Sequence, residues 1–227
     1  MGFKLGKNKV KTNLEYAYQP RNKKELRDLV EQLLYRDHNA NLNNIDVFEI
    51  EDMSYLFEDL YAYKIDISEW DVSNVIHMSG MFSGCTAFNC DLSKWNIKSA
   101  RFIDGMFMGC KNFNSDLTNW DVSNVENMEQ MFYNCYKFNG DLSNWDLRKC
   151  KTTEQMFFNC VAFTGKGLKT WKNFDVMDNM VEMFKYCSKF DCNLSKWTIK
   201  SNVIMDDMFY NTALTKYPKW YVEYYVE

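Results

Sequence analysis

Long apolar runs, prolines and a basic excess are all missing from this sequence of 227 residues. No stretch approaches the ~18 consecutive apolar residues of a transmembrane helix, so we expect no insertion into a membrane. Only two prolines and nine glycines interrupt the chain and 46% of it is hydrophobic, which excludes a disordered protein. The formal net charge of -4 lacks the basic surplus typical of nucleic-acid-binding proteins, so we expect no nucleic-acid partner.

Two further signals are missing, a secretory leader and a C-x-x-C pair. The start of the chain is basic but contains no apolar stretch of the kind a secretory signal needs, so the sequence as written predicts a cytoplasmic protein. The eight cysteines are therefore expected to be free thiols, and we expect no metal site. Cys90, Cys150 and Cys192 stand outside the regular cysteine spacing and are predicted to be the exposed thiols.

What the sequence does contain is a repeat of about 25 residues. Seven units fill residues 45–219, and the cysteines at 85, 110, 135, 160 and 187 form a ladder with the same spacing. One unit of this size cannot bury both of its faces, so we expect successive units to stack with equivalent side chains over one another. The tryptophans that mark the units are Trp70, Trp95, Trp120, Trp145, Trp171, Trp197 and Trp220.

The hydrophobic pattern changes within each unit. Apolar and polar residues nearly alternate over residues 117–125, which is typical of a short strand that is buried on one face. Met128, Met131, Phe132 and Cys135 then recur at i, i+3, i+4 and i+7, which is one face of a helix. These patterns predict an α/β solenoid with short parallel strands on one face and short helices on the other.

The segments outside the repeat are predicted to cap it. Residues 1–44 form a basic leader of charge +4, in which Asn22 can cap a helix with an apolar stripe from Leu26 to Leu34. We expect this N-terminal helix to cover one end of the stack. Residues 220–227 are predicted to form a C-terminal capping strand, and because an exposed edge strand pairs readily, we expect either a homodimer through it or an aromatic contact patch on it.

The repeated residues also resemble a known family. The Trp70 unit reads WDVSNVIHMSGMFSGCTAFNCDLSK and the Trp120 unit reads WDVSNVENMEQMFYNCYKFNGDLSN. Both are similar to the BspA-like leucine-rich repeat family of the mycoplasma-lipoprotein type, with the pattern WDVSNVxxMxxMFxxCxxFNxDLS. The resemblance implies a leucine-rich-repeat-like solenoid and a bacterial protein exposed at the cell surface, where such proteins serve in adhesion and protein binding.

The candidate binding residues are the polar side chains that flank the repeated tryptophans. If the tryptophan points inward, its neighbours point outward, and their identity varies from unit to unit while the core does not. A rigid scaffold with a varied polar surface favours binding of another protein, and its mixed charges favour a protein over a polyanion. The predicted ligand-binding residues are Asp71, Lys94, Asn96, Lys98, Asn119, Asp121, Asn144, Asp146, Arg148, Lys196 and Lys200.

The sequence therefore favours a non-enzymatic protein-binding module with no catalytic residue and no cofactor. Two alternatives stay open. One is an intracellular inhibitor or immunity-type protein that binds an enzyme. The other is a hydrolase that uses the repeated aspartates Asp66, Asp91, Asp116 and Asp141, although a repeated aspartate at a turn usually accepts hydrogen bonds from its own backbone.

Overall fold

The computed structural model describes residues 16–60 and 64–224. Helix α1 spans Lys23–Arg36, a 3-10 helix spans Leu168–Thr170 and helix α2 spans Lys219–Tyr224. Apart from these helices, the described chain consists largely of successive turns and bends, and its repeat units stack on one another. One continuous hydrophobic core runs through the stack from α1 to Tyr221.

The predicted α/β solenoid with parallel strands is wrong. Over the described ranges, the units pair through isolated parallel bridges, and no sheet forms. One bridge recurs at the same position of each unit, so the register is constant although the strands are absent. These bridges join Asp52 to His77, His77 to Phe102, Phe102 to Asn127, Asn127 to Thr152, Thr152 to Asn179, and Asn179 to Ile204.

The segment predicted as a helix in each unit is a run of turns; we call it the ladder segment (residues 127–135 and their equivalents). The amides of Met128, Gln130, Phe132 and Asn134 donate to carbonyls of the next unit, at N···O distances of 2.9–3.1 Å. The alternate amides close turns, as when the Met131 N–H donates to the Met128 carbonyl at 3.3 Å. An α-helix keeps such bonds within the segment, so the apolar spacing of three and four here reflects turns.

The segment predicted as a strand is also built from turns; we call it the Asp-turn segment (residues 116–125 and their equivalents). The Trp120 N–H donates to the Leu117 carbonyl at 3.1 Å, and the Val125 N–H donates to the Val122 carbonyl at 2.9 Å. All four side chains are buried. A strand sends alternate side chains to opposite faces, whereas the spacing of three, two and three residues lets these four share the interior.

Columns of equivalent side chains fill the core, as the stacking hypothesis requires. One phenylalanine column runs from Phe57 to Phe209 with ring centroids 5.3–5.7 Å apart between neighbouring units. Beside it, each tryptophan reaches one unit back, so the Trp120 Nε1–H donates to the Leu92 carbonyl at 3.1 Å. The stacked rings therefore pack consecutive units against each other. The indole N–H groups provide hydrogen-bond donors for buried backbone carbonyls.

The N-terminal end of the stack is covered by α1, as predicted. Asn22 accepts the Glu25 N–H at 3.0 Å and so caps the helix, whose Leu26, Leu29, Val30 and Leu34 side chains are buried in the core. The Arg27 guanidinium donates to the Leu56 carbonyl at 2.8 Å. In later units the equivalent carbonyl accepts an amide from the preceding unit, so Arg27 supplies the donor that the first unit lacks.

The C-terminal end differs from the prediction. Residues 219–224 form α2 rather than a capping strand, so the exposed edge on which the homodimer was based is absent from the described chain; residues 225–227 of that strand lie outside the described residues. Trp220 nevertheless continues the tryptophan column, 6.1 Å from Trp197, and donates to the Leu194 carbonyl at 3.1 Å. Packing of Trp220 and Tyr221 on Phe209 favours this short helix.

Candidate functional site

The Asp-turn segments place a continuous polar surface along the stack, which we call the Asp-turn face. In the Trp120 unit it consists of the residues of 116–124 other than the buried Leu117, Trp120 and Val122. Each of its aspartates holds a turn. Asp116 accepts the Thr118 N–H at 2.9 Å and Asp121 accepts the Ser123 N–H at 3.1 Å, in the Asx geometry common at turns.

The predicted binding residues all lie on this face. Asp71 and Asp146 are half-buried, and the others are mostly exposed. Their positions form three columns along the stack, and each unit contributes one residue to each column. The Trp120 unit contributes Asn119, Asp121 and Ser123 in that order. The other members are Lys94, Asn144 and Lys196 in the first column, Asp71, Asn96 and Asp146 in the second, and Lys98, Arg148 and Lys200 in the third.

Many of these side chains contact their own chain. Lys94 pairs with Glu69 of the preceding unit, and the Asn144 amide donates to the Thr118 carbonyl at 3.3 Å. Asp146 pairs with Arg148 and also accepts the Asn173 amide at 3.2 Å. These contacts hold the surface groups in fixed positions, which is a role that the sequence pattern alone did not reveal.

The aspartates of the hydrolase alternative are held in the same way. The Ser93 amide lowers the pKa of Asp91, the Thr118 hydroxyl lowers the pKa of Asp116 and the Ser143 amide lowers the pKa of Asp141. A general acid for glycoside hydrolysis needs the opposite shift, a pKa raised toward neutrality. The Asp column is therefore a set of turn-stabilising carboxylates in this geometry.

The cysteine ladder lies in the ladder segments. The Cys135 thiol donates to the Phe107 carbonyl, with Sγ 3.0 Å from the oxygen, and Cys85 makes the equivalent contact. Burial raises the pKa of Cys85 to about 12. Within the described part of the chain, no group of three histidine, cysteine or acidic side chains is arranged to hold a metal ion.

The exposed thiols were predicted wrongly at two of three positions. Cys150 is fully buried and Cys192 is 6% exposed, whereas Cys90 is half-buried. The signal was present in the sequence, because Cys150 stands one unit after Val125 at the equivalent position and occupies the same column of the core. Cys192 follows Gly165 in another column, where the glycine leaves room for its side chain.

Sequence reasoning missed a second surface, on the ladder segments. Two residues of each ladder segment adopt a positive φ, as Gln130 (54°) and Asn134 (59°) do, and each is the third residue of a turn. We call the surface around them the left-handed face. The signal was the spacing of four in SGMFSGC and DGMFMGC, which supplies glycine at these positions, Gly80 with Gly84 and Gly105 with Gly109.

The left-handed face also carries an aromatic row. Tyr133 stacks on Phe158 with ring centroids 4.6 Å apart, and Phe158 meets Tyr186 edge to face at 5.3 Å. Lys185 lies above the Tyr186 and Tyr210 rings, 5.8 and 5.3 Å from their centroids. This part of the face combines aromatic rings with acidic neighbours, in contrast to the mixed amides and charges of the Asp-turn face.

Comparison with protein families gives a match along most of the chain. Comparisons with curated proteins and with solved structures gave no match. Among the described residues, no helix has the length and apolar character needed to cross a bilayer. The profile of the family described as "Mycoplasma protein of unknown function, DUF285" matches residues 24–145 and 136–222. These matches cover the stacked units and α1, and the chain therefore belongs to this family of BspA-like repeats.

Proposed function

We propose that this chain is a non-enzymatic module that binds a folded protein through its Asp-turn face. The observation that carries the proposal is the fixed position of varied side chains on this face. Turns and contacts between units hold Asp121, Asn144 and Asp146 in place, while the residue type at each position changes along the stack. A surface whose groups are already ordered loses little conformational entropy when it binds.

The charge pattern supports a protein partner. Lys94, Lys98, Lys196 and Lys200 lie on the same surface as the aspartates, so acidic and basic groups are mixed along it. Such a mixture favours a partner with a complementary pattern of both signs, because a uniformly charged polymer would meet repulsion from the groups of its own sign.

The non-catalytic part of the proposal is supported by the carboxylates. Those of Asp91, Asp116 and Asp141 have lowered pKa values and are engaged in turns. Glu129, whose pKa is raised, lies on the left-handed face and outside the Asp column. An enzyme-inhibiting role remains compatible with the Asp-turn face, since such a protein would use the same kind of contact.

The lysines provide the cleanest test, because changing an aspartate would also disturb a turn. One variant reverses four lysines of the Asp-turn face, Lys94, Lys98, Lys196 and Lys200, to glutamate. A matched control reverses four exposed lysines elsewhere, Lys111, Lys137, Lys189 and Lys216, and so changes the net charge equally.

Both variants and the unmodified chain are used as baits in a lysate of the source organism, and each captured protein is purified and titrated. We expect a partner that the unmodified chain and the control bind alike and that the face variant binds about tenfold or more weakly. Equal binding by all three baits would show that another surface is used. Loss of a captured enzyme's activity at one equivalent would identify the inhibitor version.

A further inference from the structure

A groove interrupts the left-handed face near the N-terminal end of the stack. Its volume is about 130 Å³, and it is lined by Gly105, Met108 and Gln130 and by Gly80 with the Tyr55 ring that lies over it. It belongs to a different surface from the Asp-turn face, so what it binds is independent of the function proposed above.

The groove exists because Gly105 has no side chain at one left-handed position of the stack. Nearby units place Tyr55 and Gln130 there, with φ values of 57° and 54°. A Cβ built on Gly105 would have no heavy atom closer than 4.0 Å, so the space at this position is open. At Gly80 the Tyr55 ring fills the space instead, 2.3 Å from where a Cβ would stand, so the pit is open at Gly105 and one unit long.

Acidic groups line the groove. Asp104 and Glu129 are among its walls, and the Ser79 hydroxyl donates to Asp104 at 2.8 Å, which fixes that carboxylate. Burial raises the pKa of Glu129, and the carboxylates of Glu154 and Asp104 raise it further. Repulsion among carboxylates in successive units would be relieved by a cation placed between them.

Elsewhere on the same face, a lysine of the chain itself already lies between carboxylates of two successive units. Lys185 places its Nζ 2.5 Å from a Glu182 oxygen and 2.8 Å from an Asp207 oxygen, with the rings of Tyr186 and Tyr210 beside it. Glu182 and Asp207 stand at the positions of their units that are equivalent to Gly80 and Gly105. Lys185 stands at the position equivalent to Met108, an uncharged residue that lines the groove.

We propose that this groove is a docking site for a lysine side chain from a basic segment of a partner protein. The ammonium group would lie between Asp104 and Glu129, and its alkyl stem would pass over Gly105 beside Met108. Charge complementarity selects a basic partner, and the open space at Gly105 beside Met108 accepts an unbranched alkyl stem.

The test uses a tetralysine peptide blocked at both ends as the probe, and the same peptide acetylated on every ε-amine as its uncharged counterpart. Binding is followed through the backbone amide shifts of the ¹⁵N-labelled protein. We expect saturable shifts of the Gly80 and Gly105 amides with the lysine peptide and none with the acetylated peptide. Gly165 and Gly167, which lie outside the groove, serve as internal references.

Two variants separate shape from charge. Gly105→Gln fills the groove with the residue that the next unit carries at the same φ, so the fold can accept it, and we expect the Kd to rise about tenfold. Gly109→Asn is the matched control, since it adds the side chain found at Asn134 outside the groove and should leave the Kd within about twofold. Asp104→Asn with Glu129→Gln should weaken binding without changing the shape.

Three results would overturn the proposal. The first is no saturable shift of the groove glycines at about 5 mM peptide. The second is equal binding of the acetylated peptide. The third is unchanged affinity in a Gly105→Gln variant whose amide spectrum shows the native fold; if that variant does not fold, the isosteric pair at Asp104 and Glu129 decides by the same criterion.

Discussion

The two halves of each unit join to their neighbours in different ways. In the ladder segment, alternate backbone amides bond to the next unit, whereas in the Asp-turn segment much of the contact between units comes from side chains such as Trp120. The unit between the bridge residues Thr152 and Asn179 is two residues longer than the unit between Asn127 and Thr152. The ladder amides that follow Thr152 nevertheless reach their acceptors at 2.8–2.9 Å. The additional residues lie between Phe163 and Met180, largely in the Asp-turn segment, which also contains the 3-10 helix.

This difference shows where the register of the stack is fixed. Backbone bonds cannot slip by one residue without losing all of their partners, so the ladder segment tolerates no insertion. Side-chain contacts and surface turns can rearrange around an extra residue at lower cost. The varied Asp-turn face is therefore free to change without loss of the stacked fold.

The largest expected effect is that of moving the insertion. One alanine inserted after Glu129 displaces the amides of Gln130, Phe132 and Asn134 from their acceptors, and we expect a loss of more than about 4 kcal/mol of unfolding free energy. The same insertion after Asn119, in the Asp-turn segment, should cost about 1 kcal/mol. Urea denaturation followed by tryptophan fluorescence measures both. Equal losses would remove the distinction between the two halves.

The second largest effect on the unfolding free energy is expected from alkaline pH, which acts on the buried thiols of the ladder segments. The pKa values of Cys85 and Cys187 are raised by burial to about 12, above the ordinary thiol value of about 8.5. Because these thiols have a higher pKa in the folded state than in the unfolded state, their contribution to stability is fully present below the unfolded pKa. That contribution is lost as the pH rises from about 9 toward 12. We expect the unfolding free energy to fall over this range. Replacing Cys85 and Cys187 by alanine should flatten the decline, and an unchanged slope would contradict the assignment.

Removing Arg27 should have a smaller effect at the first ladder segment. Arg27→Met keeps an unbranched stem but leaves the Leu56 and Glu58 carbonyls without the guanidinium donor. The expected cost is about 1–3 kcal/mol, as for partly buried polar groups that lose their partner. Arg36→Met, at the exposed end of α1, is the control and should change stability by less than about 0.5 kcal/mol. The two variants are compared by thermal and urea unfolding.

The smallest effect is expected on the Asp-turn segment itself. Asp121→Ala removes the acceptor of the Ser123 amide and should cost about 1 kcal/mol, whereas Asp121→Asn keeps an acceptor and should be nearly neutral. Because the Ser123 hydroxyl lowers the pKa of Asp121, its contribution is present above the unfolded pKa and is lost as the pH falls below about 4. Urea unfolding at pH 7 and pH 3 checks this. A large loss from Asp121→Asn at pH 7 would show that charge, not turn geometry, matters here.

The repeat and the N-terminal helix were predictable from the sequence. The spacing of tryptophans and cysteines identified the stacked columns, and Asn22 with the apolar stripe from Leu26 identified α1. In that helix the cap, the periodicity and the buried face agree with each other. The predicted polar surface likewise lies on one face, although its binding role stays a proposal.

The local structure within each unit was not predictable from periodicity alone. Apolar side chains at Met128, Met131 and Phe132 have the spacing of a helix, but successive turns produce the same spacing when alternate amides point to the next unit. Positive φ at Gln130 has no sequence signal of its own, because glycine marks this row in only two units. The groove at Gly105 depends on which side chains the neighbouring units place at the same position, a property of the stack and not of one segment.

Scalar couplings across hydrogen bonds test the central claim most directly. In the deuterated protein, such couplings connect an amide nitrogen to the carbonyl carbon that accepts its proton. We expect correlations from the Gln130 amide to the Glu154 carbonyl and from the Phe132 amide to the Met156 carbonyl. Correlations from the Gln130 amide to the carbonyl of Glu126, one helical turn earlier, would instead show a helix and contradict the stacked ladder.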